Sequence, residues 1–135
     1  FSAEQLDVRN WVVDFGSLKS LKAMLEGTLD HKTLVASDDP EIEWFREAHR
    51  RGVLDLVEIE ATGCERMAEL IFACTEVWLD DNGYSPRARL DLVEVSEHGA
   101  NSAIVRRRDD IEALDNKVTR VVRAMSNLES RREIR

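Results

Sequence analysis

The chain has 135 residues, 43% of them apolar and 34% charged, and a net charge of −8; that composition suits one domain with a real core and excludes a disordered or fibrous chain. No apolar run approaches the roughly 18–20 residues that a membrane span needs, no signal-peptide pattern is visible, and an acidic body argues against general nucleic-acid binding. Two cysteines, Cys64 and Cys74, form neither a metal pair nor a disulfide framework and read as reduced thiols of a cytoplasmic protein.

In chain order, the polar LDVRN reads as a turn leading into WVVDF (11–15), where Trp11, Val13 and Phe15 alternate with Val12 and Asp14. That alternation predicts a strand. Leu18, Leu21 and Leu25 then fall at helical spacing, with Ser17 as a candidate cap and an end near Gly27. LDHKTLV (29–35) follows. Residues 38–52 predict a short helix: Asp39 can cap it, Pro40 fits its first turn and Gly52 stops it. Its apolar stripe is Ile42, Phe45 and His49.

VLDLVEIE (53–60) predicts a strand whose apolar residues change parity between Leu56 and Val57, by a bulge or by burial on both sides. Met67, Leu70, Ile71, Cys74, Val77 and Trp78 give the clearest helix, over 64–79. A turn-rich loop (80–86), a strand (88–97) with a parity change at Leu92–Val93, the turn HGAN and a returning strand (102–106) complete a hairpin. In the tail, Ile111, Leu114, Val118, Val121, Met125 and Leu128 space as an a/d heptad seam. Residues 106–135 carry nine Lys/Arg against six Asp/Glu, so this end is mildly basic. The expected architecture is α+β: an antiparallel sheet with helices on one face over residues 1–106, then a C-terminal helical extension over 107–135.

Four residues could carry chemistry. A carboxylate beside an imidazole can orient it and stabilise its cation, which makes Asp30-His31 a candidate proton relay. Adjacent residues in regular structure point apart, so a working pair needs an irregular backbone; the alternative is a turn cap beside a partly buried histidine. Continuing Val93 and Val95 at period two puts Glu97 on their face, where an unpaired carboxylate must find donors. A planar heterocycle offering two N–H groups would satisfy it with two parallel bonds; otherwise the strand frays and Glu97 is wet. Glu65 stands in the first turn of the strongest helix, and with Thr62 it spells a capping box that would be sufficient explanation for it. The histidines show no metal-ligand spacing, His49 reads as packed and His98 opens a turn. Cys64 sits at a helix start, where a thiolate is favoured, and Cys74 falls in the apolar stripe.

NWVVDFGSLK (10–19), LDHKTLV (29–35), GCERMAELIF (63–72) and VEVSEHGANSAIV (93–105) occur in this order. Together they resemble the 6-pyruvoyl-tetrahydropterin synthase / 6-carboxytetrahydropterin synthase family, over residues 1 to about 106. The resemblance implies a T-fold subunit that closes into barrels by forming a homo-oligomer. It implies a cytoplasmic zinc-dependent lyase acting on 7,8-dihydroneopterin triphosphate. On this resemblance the product is the 6-carboxytetrahydropterin of the queuosine pathway, with the 6-pyruvoyl product or a non-catalytic ring-binding or assembly module as alternatives. Asp30 and His31 match the family's L-D-H proton-transfer pair. Glu97 matches the glutamate that anchors the pterin, and Glu65 matches a glutamate of the same pocket. The family's first strand, zinc histidines and catalytic cysteine are expected before Phe1, so no zinc ligand is assigned in this sequence. Departures from the family pattern are Val35, Cys64, His98 and Thr62, the last one position out of register.

Overall fold

The computed structural model describes residues 1–107. The fold is α+β: β1 (Ser2–Ala3), α1 (Leu18–Leu29), β2 (Thr33–Ala36), α2 (Ile42–Arg50), β3 (Leu56–Ile59), α3 (Cys64–Asp81), β4 (Ala88–Arg89), β5 (Leu92–His98) and β6 (Asn101–Arg106). The strands pair as three two-stranded ladders among the described residues: β1–β4 and β5–β6 antiparallel, β2–β3 parallel. The parallel pair departs from the expected all-antiparallel sheet. It has a local cause, because α2 lies between β2 and β3 and carries the chain back to start β3 in the same direction. The heptad tail and the proposed boundary at 106/107 fall at or beyond the edge of the described residues.

α3 organises the core. It packs on the β5–β6 hairpin and on α1, and Phe72 and Leu79 are the largest fully buried side chains. Val13, Leu21, Trp78, Ala88 and Leu90 close around them. Polar atoms fix the angles between elements: Trp78 Nε1 donates to Ser20 Oγ (2.9 Å), tying α3 to α1. Tyr84, stacked on Trp78 at 5.3 Å, has its hydroxyl 2.6 Å from Ser17 Oγ. The buried set on α3 is Ala68, Phe72, Ala73, Cys74, Thr75, Trp78 and Leu79. It is rotated from the expected stripe, because α3 meets both a hairpin and a helix rather than one flat face.

WVVDF is not a strand. Only Val13 is buried, while Phe15 is 83% exposed. Side chains next to the backbone outcompete a ladder here. Asp7 Oδ1 accepts the N–H groups of Arg9 and Trp11, both at 2.8 Å, and Asp14 Oδ1 accepts that of Gly16 at 2.8 Å. Asn10 takes the left-handed conformation (φ 63°) that asparagine tolerates. Arg87 clamps the loop from outside, donating to the carbonyls of Gln5, Trp11 and Val12.

The other boundaries move by smaller amounts. α1 runs through Gly27 to Leu29. Ser17 stands at its start, but its hydroxyl donates to Asp14 O, at 2.6 Å, rather than capping. Asp39 accepts the Glu41 N–H just ahead of α2, and Gly52 (φ +72°) ends the turn after it. The parity change at Leu56–Val57 is burial on both sides: both residues are buried, and β2–β3 runs without a register shift. The predicted strand 88–97 breaks at Leu90–Asp91 into β4 and β5.

Candidate functional site at the end of helix α1

The last turn of α1 closes with the Asp30 N–H on Glu26 O (2.9 Å), and Asp30 itself is extended (φ −74°, ψ 134°). His31 then turns left-handed, with φ 56°. For a residue with a Cβ this conformation costs about 1–2 kcal/mol, and it persists where the surroundings over-determine it. Its effect is to bring two adjacent side chains together: His31 Nδ1 lies 3.0 Å from Asp30 Oδ1. This is the irregular backbone that an adjacent relay requires. Both side chains are open to solvent, His31 at 91%.

The chain is pinned again immediately after His31. Thr33 N–H donates to the backbone carbonyl of Asp55 at 2.8 Å. The Lys32 ammonium, on a side chain only 11% exposed, pairs with the Asp55 carboxylate. The other oxygen of that carboxylate lies 3.9 Å from His49 Nδ1, which accepts the Leu56 N–H at 3.2 Å. His49 is thus a hydrogen-bonded, half-buried residue. Lys32 and Asp55 escaped the sequence reading, because their contact exists only once β2 and β3 pair.

Glu97 sits at a bulge. Pairing runs Ser96↔Ser102 and then His98↔Asn101, so Glu97 has no cross-strand partner. The bulge breaks the period-two count that linked Glu97 to Val93 and Val95. Bulges re-aim side chains and are frequent beside functional sites; Glu97 is exposed. His98 folds into the turn, with its Nδ1 accepting the Ala100 N–H at 3.3 Å.

Glu65 is exposed in the first turn of α3. The expected capping box is not formed: Gly63 is the N-cap, and no side chain caps the helix. Starting one residue later than the box requires leaves Thr62 outside the helix and Glu65 in its second position, where the dipole still favours a carboxylate. Cys74 is buried, and burial pushes its thiol up to about 11, away from nucleophilic use. Cys64 is partly exposed.

No hydrogen bond or ion pair joins Asp30-His31 to Glu97 or Glu65 among the described residues. A depression of about 280 Å³ lies elsewhere, lined by Arg89, Asp91, Arg106 and Arg107. No group of three or more His, Cys, Asp or Glu among the described residues is arranged to hold a metal ion. The donor set of the described residues therefore does not fit a zinc ion. No described helix is long and apolar enough to cross a membrane. The family model for 6-pyruvoyl tetrahydropterin synthase matches residues 1–108. No curated protein and no solved structure matches the chain.

Proposed function

From the premise that this chain belongs to the 6-pyruvoyl tetrahydropterin synthase family, we propose that it is a ring-binding T-fold subunit that docks a pterin on Glu97 and relays protons through Asp30-His31. The substrate class is a dihydropterin triphosphate, and the reaction is a lyase step of the 6-pyruvoyl-tetrahydropterin synthase type. The family match favours the pyruvoyl product over the 6-carboxy product of the queuosine pathway. Assembly with further copies in the cytoplasm brings the exposed Glu97, Glu65 and His31 around one ligand.

The observation that carries this reading is the 3.0 Å contact between Asp30 Oδ1 and His31 Nδ1 on a left-handed backbone. A neutral ring carrying its hydrogen on Nδ1, the nitrogen that faces Asp30, leaves the Nε2 lone pair to accept a proton from the substrate side chain. Asp30 then stabilises the imidazolium until the proton is returned. Glu97, free of a cross-strand partner, accepts two parallel hydrogen bonds from the ring N–H and amino group. Glu65 places a second acceptor at a helix start.

A second reading, a module that binds the ring without turning it over, is favoured by the lack of a metal-holding cluster among the described residues. One experiment separates the two. Neopterin binding is measured by fluorescence and products from 7,8-dihydroneopterin triphosphate by mass, for wild type, His31→Ala and Glu97→Ala. Loss of a charge-assisted bidentate contact in Glu97→Ala weakens binding about 10–100-fold, and His31→Ala keeps binding while losing turnover. Binding without turnover in wild type selects the module. Equal turnover in wild type and His31→Ala removes the relay, and equal binding by Glu97→Ala removes the anchor.

A further inference from the structure

We infer that Lys32 and Asp55 are positioning residues for His31, holding its left-handed backbone and with it the contact to Asp30. The inference rests on the relay reading of the Asp30-His31 pair. His31 is bracketed. Before it, the helix-closing bond from Asp30 N–H to Glu26 O fixes the residue that carries the carboxylate. After it, two bonds converge on the residue that precedes β3: Thr33 N–H on the Asp55 carbonyl, and the Lys32 ammonium on the Asp55 carboxylate.

His31 itself contributes no packing that could hold it, since its side chain is 91% exposed. The strained conformation is therefore imposed from its two flanks. Of these, the second depends on side chains: the Lys32 stem is nearly buried, at 11% exposure, so the residue after His31 cannot rotate without withdrawing an ammonium from its carboxylate. Asp55 stands immediately before β3 and beside His49 of α2, so both elements of the parallel unit back the Asp55 anchor. Released from this anchor, the peptide after His31 relaxes toward ordinary right-handed or extended angles, and the two side chains point apart as neighbours normally do.

The test compares full-length wild type, Lys32→Met, Lys32→Arg and His31→Ala. The first readout is the ¹⁵N spectrum of the neutral His31 ring. The wild type shows the Nδ1–H tautomer, with its hydrogen toward the Asp30 carboxylate, Lys32→Met shifts toward the Nε2–H form of free histidine, and Lys32→Arg, which keeps the ion pair, restores the wild-type spectrum. The second readout is turnover: Lys32→Met lowers kcat about 10-fold or more with KM within about twofold. Should Lys32→Met not fold by circular dichroism, Asp55→Asn takes its place, keeping the backbone carbonyl and removing the charge. A wild-type tautomer in the variant that breaks the ion pair overturns the inference. If wild type gives no turnover, or His31→Ala turns over as wild type does, the relay reading fails and the ring spectrum alone decides the positioning role.

Discussion

At the scale of single residues, hydrogen bonds from side chain to nearby backbone decide what the chain does. The Asp7 loop is such a case. The Trp11 N–H, most of all, holds the Asp7 carboxyl below its ordinary value of 3.8, helped by the Arg9 N–H and the charges of Arg87 and Arg9 and opposed by desolvation. A carboxyl depressed in the folded state contributes stability that is present in full above the unfolded value and is lost as pH falls through the folded one. Asp7→Ala should therefore lower Tm by a few degrees at pH 7, and the gap from wild type should close as pH falls below 3.8. A gap that stays constant down to pH 2 in thermal scans would show that the carboxylate is not what organises the loop. The turn at Asp7 was legible in the polar LDVRN, but at Asp14 the alternation of apolar residues over 11–15 outweighed the turn-forming chemistry of the aspartate.

At the scale of elements, the helices were legible and the strands were only partly so. The spacing of Leu18, Leu21 and Leu25, the Asp39-Pro40 start, Gly52 and the long stripe over 64–79 all mark helices that the structure contains. A helix shows its period within its own residues. A strand's period is overwritten wherever both faces are buried, as at Leu56 and Val57, or where a bulge intervenes, as at Glu97. α3 carries the largest packing stake, with Phe72 only 1% exposed between the hairpin and the surrounding core. Phe72→Ala should cost about 3–5 kcal/mol in urea unfolding. A loss below about 1 kcal/mol would mean that the site collapses and that α3 is not the keystone of the core.

At the scale of the molecule, one cation spans the distance between α3 and the end of β6. Arg107 donates to Leu90 O (2.8 Å), pairs with Glu76 on α3, and lies 5.8 Å from the centre of the Phe72 ring. Its side chain and that of Glu76 are both about three-quarters covered, so removing one partner strands the other with little water. Arg107→Ala should destabilise the fold by about 1–3 kcal/mol, with Glu76→Gln in the same background recovering part of the loss. Unchanged urea midpoints in both variants would reduce the pair to a surface contact. The charge pattern of the sequence placed this arginine only in a basic stretch, because Arg107 and Glu76 are thirty-one positions apart and nothing in spacing couples them.

The amino-acid sequence by itself determined the α+β class, the three helices of the described residues and the family, because these follow from local period, caps and short motifs. It also named Asp30 and His31 as neighbours, which covalent order guarantees. Only the tertiary structure decided that they touch. Their contact depends on a left-handed turn that is costly in isolation, and the group we infer to hold it, Asp55, lies more than twenty residues away, just before β3, and reaches them only when β3 pairs with β2.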